Sequence, residues 1–83
     1  MAIVAETTSE FVEAEAVAKP LRITARQVRQ LAKEGGLPAI RVGSVYRFDP
    51  DAVGRTVAVD EEGASQVARA IRAAANARAE GAS

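Results

Sequence analysis

The stretch from Ile23 to Pro38, ITARQVRQLAKEGGLP, contains both a helix start and a helix stop, and it constrains the fold more than any other part of the chain. At its start, Thr24 is placed to cap a helix, and Gln27, three residues later, completes a capping box. At its end, Gly35 begins a Gly-Gly pair that supplies a left-handed stop, and a proline soon after prevents the helix from resuming. The pattern predicts a helix over about 25–34.

The two sides of this helix differ in polarity. At about 100° per residue the apolar residues share one side, and Ile23 and Val28 fit a hydrophobic staple across the helix start. The apolar side consists of Ala25, Val28, Leu31 and Ala32. The polar and basic residues form a contiguous arc on the other side, at Arg26, Arg29, Gln30 and Lys33. We expect one side to pack on a core and the other to face solvent or a ligand.

The stretch AIRVGSVYRF, residues 39–48, predicts a β-hairpin. A two-residue turn at Gly43-Ser44 mixes charged and apolar residues on one face, whereas a three-residue loop over 43–45 separates them. The three-residue loop places the large apolar residues on one face, at Ile40, Val42, Tyr46 and Phe48. Because each large side chain gains about 1.5–3 kcal/mol on burial, this register is expected. The two aromatic side chains are then assigned to the core and not to base stacking.

The expected register has one unfavourable feature, which is that Arg41 and Arg47 lie directly opposite each other. Like charges opposed on neighbouring strands are destabilising, by less than about 1 kcal/mol at an exposed edge. A phosphate between the two guanidinium groups would turn this repulsion into joint attraction. The hairpin is therefore expected to meet an anion.

The remaining elements follow from local signals. Phe11 and Val12 predict a short extended segment, and a first helix is expected over about 14–19, ended or kinked by Pro20. Asp49 followed by proline predicts the cap and first position of another helix. Val53 and Val57 of that helix are both expected to pack inward.

The domain organisation predicted from these signals has four parts. Residues 1–10 form a flexible N-terminus, residues 11–59 the main domain, and residues 60–63 a linker. Residues 64–83 form an alanine-rich C-terminal unit, helical from about Ser65 to Ala79.

Composition excludes several classes of site. The chain of 83 residues has no cysteine and no histidine, so disulfides, thiolate metal sites, cysteine nucleophiles and histidine bases are all absent. No apolar run approaches the length of a membrane span, and the acidic N-terminus is not a signal peptide. We expect a soluble, cytoplasmic protein that is not an enzyme and has no cofactor or metal.

A formal net charge of zero conceals a strong pattern. Residues 19–47 carry seven basic side chains against Glu34 alone, whereas residues 1–18 carry four glutamates and no basic residue. Residues 48–63 carry five acidic side chains against Arg55. A basic block between acidic flanks is the local charge pattern of a polyanion-binding surface.

The order of these elements resembles a winged helix-turn-helix of the MerR-like, excisionase type, an α+β fold, here with an added C-terminal helix. The resemblance runs through EAVAKPLRITARQVRQLAKEGGLPAIRVGSVYRFDPDAV, about half of the chain. Its most specific parts are ITARQVRQLAKEGGLPAIRVG and YRFDPDAV. Arg22 stands where the family often has a turn glycine, so a left-handed backbone there would be strained.

The resemblance implies binding to double-stranded DNA, with the second helix in the major groove and the hairpin as the wing. Carried over by position, the recognition helix holds Thr24, Ala25, Arg26, Arg29, Gln30 and Lys33. The wing holds Arg41, Ser44 and Arg47. Arginine suits guanine and glutamine suits adenine, whereas the lysine and the wing arginines are expected to contact the phosphate backbone. Thr24 is also assigned the helix cap.

The resemblance further implies an excisionase, or recombination directionality factor, of a phage or integrative element. Such proteins bind adjacent sites beside an attachment site and bend the DNA, and an integrase, the implied partner, then carries out excision. A small transcriptional repressor with the same domain is an alternative. A protein-interaction module whose basic helix docks on an acidic partner is a second.

Two further interactions are left open by the sequence. Val67, Ile71 and Ala74 mark one face of the C-terminal helix, which either contacts an integrase or a neighbouring copy or packs on its own domain. The acidic stretches around Glu13 and at residues 60–62 either weaken nonspecific DNA binding or meet the basic face of a neighbour in a cooperative head-to-tail array.

Overall fold

The computed structural model describes residues 11–82 as a small α+β fold of four helices and one two-stranded antiparallel sheet. The elements in chain order are α1 (Ala14–Leu21), α2 (Ala25–Glu34), β1 (Ile40–Val42), β2 (Val45–Arg47), α3 (Pro50–Val57) and α4 (Glu61–Ala82). The flexible N-terminus predicted for residues 1–10 lies outside the described residues. Within residues 11–82, no helix combines the length and the apolar character needed to cross a membrane.

The core takes one fully buried large side chain from each helix and one from the end of the hairpin. These are Val17, Val28, Val53, Ile71 and Phe48, all 0% exposed. Alanines at three other positions of α1 are also buried, and α1 packs against both α2 and α4. Because burial of each large side chain contributes about 1.5–3 kcal/mol, these contacts hold the four helices in one unit.

Helix α1 extends through Leu21, past the proline that was expected to end it. Pro20 removes one backbone hydrogen bond in the last turn, where few further bonds depend on it. The helix ends instead at Arg22, which has φ +61° and ψ +39° in the left-handed region. Its N–H donates to the Lys19 carbonyl, and the N–H of Ile23 donates to the Ala18 carbonyl. Arg22 therefore adopts the left-handed backbone conformation that costs a non-glycine residue free energy.

Helix α2 has the predicted bounds and the predicted ends. The Thr24 hydroxyl accepts from the Gln27 N–H at 3.0 Å, and the Gln27 side chain accepts from the Thr24 N–H at 2.9 Å, which confirms the capping box. At the other end Gly35 has φ +87°. The Gly36 N–H donates to the Leu31 carbonyl and the Gly35 N–H to the Ala32 carbonyl, which is the Schellman pattern.

The hairpin has a two-residue turn, and the predicted three-residue loop is wrong. The cross-strand partners are Ile40 with Arg47, Arg41 with Tyr46, and Val42 with Val45. Gly43 has φ +64° and Ser44 does not have a positive φ, as in a type II′ turn with glycine at its first central position.

The register differs because the hairpin's own apolar residues are not what the core buries. Ile40 is 43% exposed and Val42 is 56% exposed, so their burial does not fix the register. Phe48 reaches the core through a separate antiparallel bridge to Val12, which confirms the extended segment predicted there. The guanidinium carbon of Arg41 lies 5.7 Å from the centre of the Tyr46 ring, a cation–π contact that the two-residue turn makes possible.

Helix α3 begins as predicted, with the Asp49 carboxylate accepting from the Asp51 N–H at 3.1 Å and Pro50 in the first turn. Val53 is fully buried, but Val57, expected to pack inward, is 41% exposed. The helix ends there, at Ala58, before a second inward-facing turn is completed.

Helix α4 begins at Glu61, four residues before the predicted start. Asp60 caps it: its carboxylate accepts from the Gly63 N–H at 2.8 Å, and its carbonyl accepts from the Ala64 N–H at 2.9 Å. Residues predicted as a linker therefore form the first helical turn. The helix then crosses α3 closely, since a Cβ on Gly54 would lie 2.4 Å from the Ala64 carbonyl oxygen.

Candidate nucleic-acid interface

The basic face of α2 comprises the four polar side chains on its outer side, Arg26, Arg29, Gln30 and Lys33. All four residues are exposed, while Val28 on the opposite side is completely buried. The two ends of the helix are fixed by the capping box and the Schellman pattern. The polar side chains are therefore displayed on a rigid element, which is the arrangement that the sequence predicts. Leu31, assigned to the core, is 36% exposed and lies at its margin.

Two of the four side chains on the basic face have intramolecular partners. Arg29 Nη2 lies 2.6 Å from Glu15 Oε2 of α1, and Gln30 Nε2 donates to Glu34 Oε2 at 2.6 Å. Among the side chains that the structure describes, those of residues 11–78, Arg26 and Lys33 have no ion-pair partner. These two cations are thus the ones most available to an external anion.

Glu15 is a site residue that the sequence analysis missed. It is fourteen residues from Arg29, and only the packing of α1 against α2 brings the two side chains together. Partial burial raises the pKa of Glu15, but its own backbone hydrogen bond, the hydrogen bond from Arg29 and the charges of Arg29 and Arg78 lower it more. The carboxyl pKa therefore lies below its ordinary value, and Glu15 is ionised at neutral pH.

The two remaining recognition-helix candidates have structural contacts. The Thr24 hydroxyl is engaged in the capping box, and Ala25 is half-buried against the core. Thr24 remains exposed at the helix start. The structure therefore gives both residues a role in positioning the basic face.

The three wing candidates do not form a single cationic site. Ser44 is exposed at the turn, and Arg41 lies over the Tyr46 ring. Arg47 is half-buried and donates weakly from Nη1 to the Tyr46 carbonyl at 3.4 Å. Because Arg41 pairs with Tyr46 and Arg47 pairs with Ile40, the two arginines lie on opposite faces of the ribbon. The predicted pair of opposed arginines around a phosphate is not formed.

The observed register creates an apolar hairpin face that the sequence analysis did not predict. Ile40, Val42 and Val45 lie on this face and are 43%, 56% and 45% exposed, and Arg47 shares it. The signal in the sequence is the Gly-Ser pair, which fits a two-residue turn.

The candidate partner-binding residues of α4 are engaged by the protein's own core. Ile71 is completely buried, and Val67 and Ala74 are partly buried against the core cluster. This is the intramolecular packing that the sequence left as one of two possibilities. Two ion pairs also tie this helix to the rest of the described chain, from Arg72 to Asp51 and from Arg78 to Glu13.

The chemistry available at this surface is ionic contact and hydrogen bonding. Among residues 11–78, whose side chains the structure describes, no group of three histidine, cysteine, aspartate or glutamate side chains is arranged to hold a metal ion. The same residues contain no buried side-chain nitrogen or oxygen without a hydrogen-bond partner. Comparisons with models of protein families, with curated proteins and with solved structures gave no match.

Proposed function

We propose that the chain is a sequence-specific DNA-binding protein built as a winged helix-turn-helix. In this proposal α1 and α2 are the helix-turn-helix, the β1–β2 hairpin is the wing, and α3 and α4 support them. Two short helices joined by a tight turn at Arg22, with the second helix exposing its polar side, support this assignment. The chain performs no chemical step itself.

The basic face of α2 is the observation that carries the proposal. It presents two arginines, one glutamine and one lysine on a helix about 15 Å long, given a rise of about 1.5 Å per residue. The major groove is about 12 Å wide and admits an α-helix. Arginine and glutamine are the side-chain types that pair with guanine and adenine edges, so Arg29 and Gln30 are the candidates for base contacts, and Arg26 and Lys33 are free to contact phosphates.

We place this binding in the excisionase role that the sequence resemblance implies. Several copies would occupy adjacent sites beside an attachment site and bend the DNA, and an integrase would then excise the element. The acidic residues at 60–62, which lie at the start of α4, are the candidate contact for the basic face of the next copy. Unchanged cooperativity after Glu61→Gln with Glu62→Gln would reject that contact.

Footprinting on the DNA that flanks the gene tests the proposal. The wild type is compared with Arg29→Ala plus Arg47→Ala, and with a matched control, Arg55→Ala plus Arg69→Ala, which removes the same charge from exposed positions on α3 and α4. The proposal predicts protection of adjacent direct repeats by the wild type and the control, and its loss in the first variant. Protection of an inverted repeat confined to a promoter would support the repressor instead.

A protein-interaction module is the second candidate, and the exposed apolar hairpin face favours it. Three aliphatic side chains at 43–56% exposure form a patch of the kind that partner proteins cover. The two candidates differ in their dependence on salt, because phosphate contacts release counterions and apolar contacts do not. An absence of duplex binding by the wild type at low salt would favour this second candidate.

A further inference from the structure

The ion pair between α1 and α2 selects one cation of the basic face and leaves the others free. Arg29 Nη2 lies 2.6 Å from Glu15 Oε2, with the arginine side chain 50% exposed and the carboxylate side chain 35% exposed. Arg26 and Lys33 on the same face have no ion-pair partner among the described side chains of residues 11–78. Glu15 therefore pairs with one side chain of the basic face.

We propose that Glu15 is a positioning residue that directs Arg29 toward bases and away from phosphates, so that it sets the DNA specificity of α2. This inference rests on the proposed function. In this inference an acidic residue of α1 takes part in DNA recognition by α2.

The guanidinium geometry explains how one carboxylate can do this. Arginine presents five N–H donors in a planar fork, and the contact from Glu15 uses one nitrogen of that fork. The remaining donors stay available for a bidentate contact to guanine. Because a held side chain loses less conformational entropy on binding, the base contact becomes more favourable than it would be from a freely rotating arginine.

The same pairing weakens sequence-independent attraction at this position. Glu15 and Arg29 together carry no net charge, so a phosphate gains less from approaching Arg29 than from approaching Arg26 or Lys33. Nonspecific binding depends almost entirely on such phosphate contacts. The Glu15–Arg29 pair is neutral but still offers N–H donors in a fixed direction. It therefore favours contact with DNA bases over contact with the phosphate backbone.

Glu15 is held firmly enough for this role. Its neighbours Ala14 and Ala16 are 2% and 0% exposed, so the backbone that carries Glu15 is part of the core. The other nearby cation, Arg78, is paired with Glu13. Glu15 is consequently left to Arg29 as its hydrogen-bonded partner.

The test compares Glu15→Gln with Asp51→Asn, which removes the same charge and breaks an ion pair between α3 and α4, outside the basic face. Two probes are used: a 24-bp duplex selected by the wild type from a random pool, and a 24-bp duplex of shuffled sequence. For Glu15→Gln we expect the ratio of selected to shuffled affinity to fall by about two- to fivefold, as for loss of an exposed charge pair. Its salt slope on the shuffled duplex should steepen by about 0.9, one phosphate contact.

A double-mutant cycle separates positioning from a general charge effect. In an Arg29→Ala background, Glu15→Gln should leave the affinity ratio unchanged, because Glu15 acts only through Arg29. Arg29→Lys keeps the charge but loses the planar fork, so it should lower the affinity ratio as Glu15→Gln does. Because Arg29→Lys leaves Glu15 unchanged, it also serves as the test if Glu15→Gln folds poorly. Thermal unfolding monitors folding of every variant.

Three results would count against these ideas, each in a distinct way. An unchanged ratio in folded Glu15→Gln, with selective binding by the wild type, overturns the role of Glu15 and leaves the proposed function standing. An equal fall in Asp51→Asn also overturns it, because the fall would then follow from the change in net charge. Failure of the wild type to select any sequence overturns the proposed function and this inference with it.

Discussion

Val12 and Phe48 exchange two backbone hydrogen bonds of 2.8 Å and so join the segment before α1 to the end of the hairpin. The Phe48 side chain is at the same time completely buried. This bridge fixes the base of the hairpin, while its strands and turn project with little burial of their own. The hairpin is therefore anchored to the core at Phe48.

We predict that Phe48→Ala destabilises the protein by about 3–5 kcal/mol, the range for deletion of a buried aromatic side chain. The measurement is urea unfolding followed by circular dichroism. Val42→Ala is the control, because that side chain is 56% exposed, and it should cost less than about 1 kcal/mol. Equal effects of the two substitutions would contradict the anchoring role of Phe48.

We predict that Arg22→Gly raises the free energy of unfolding, by up to about 1 kcal/mol. Arg22 has φ +61°, a conformation that costs an L-residue about 1–2 kcal/mol, and part of the gain is offset by the greater freedom of glycine in the unfolded chain. Arg22→Ala removes the same charge but keeps the Cβ, so it should give no such gain. Equal stability of the two variants would argue against strain at this turn.

We predict that Gly54→Ala destabilises the protein by about 1–3 kcal/mol, the usual cost of overpacking. An added Cβ would lie 2.4 Å from the Ala64 carbonyl oxygen and 3.2 Å from its carbon, so α3 and α4 would have to move apart. Ser65→Ala, at an exposed position beside the contact, should change stability by less than about 0.5 kcal/mol. A neutral Gly54→Ala would show that the two helices do not cross this closely.

We predict that the Glu15 carboxyl titrates below its ordinary pKa in the folded protein and that Arg29→Ala raises that pKa. Because the pKa of Glu15 is lowered in the folded protein, the ionised carboxylate stabilises the fold at pH values above the ordinary glutamate pKa. This stabilisation is lost as the pH falls through the folded-state pKa. The stability difference between wild type and Arg29→Ala should therefore shrink on acidification. NMR titration of the Glu15 side chain measures the pKa directly, and an unchanged value in Arg29→Ala would contradict the pairing.

Helix α2 could be predicted from the sequence because its signals are local. The capping box and the glycine stop act within a few residues of the helix ends, so neither depends on the rest of the fold. The same holds for the start of α3, where Asp49 and Pro50 are adjacent. The four exposed side chains of the basic face follow directly from the helical period.

The hairpin register and the role of Glu15 depend on packing that no local signal reports. The expected register requires Ile40 and Val42 to be buried, but both are exposed, and the hairpin meets the core through the buried Phe48 and the half-buried Tyr46. Glu15 meets Arg29 only because of the way α1 packs against α2. The start of α4 differs from the prediction for another reason: Asp60, which lies in the predicted linker, caps the helix.

The central claim is that the basic face of α2 binds duplex DNA, and the salt dependence of binding tests it most directly. Affinity for a mixed-sequence 24-bp duplex is measured by fluorescence anisotropy from low to physiological salt, for the wild type and for Arg26→Ala plus Lys33→Ala. The account predicts salt-sensitive binding by the wild type and a log–log slope reduced by up to about two in the variant, one unit for each phosphate contact. An identical slope in both proteins, or no binding by the wild type at low salt, would contradict it.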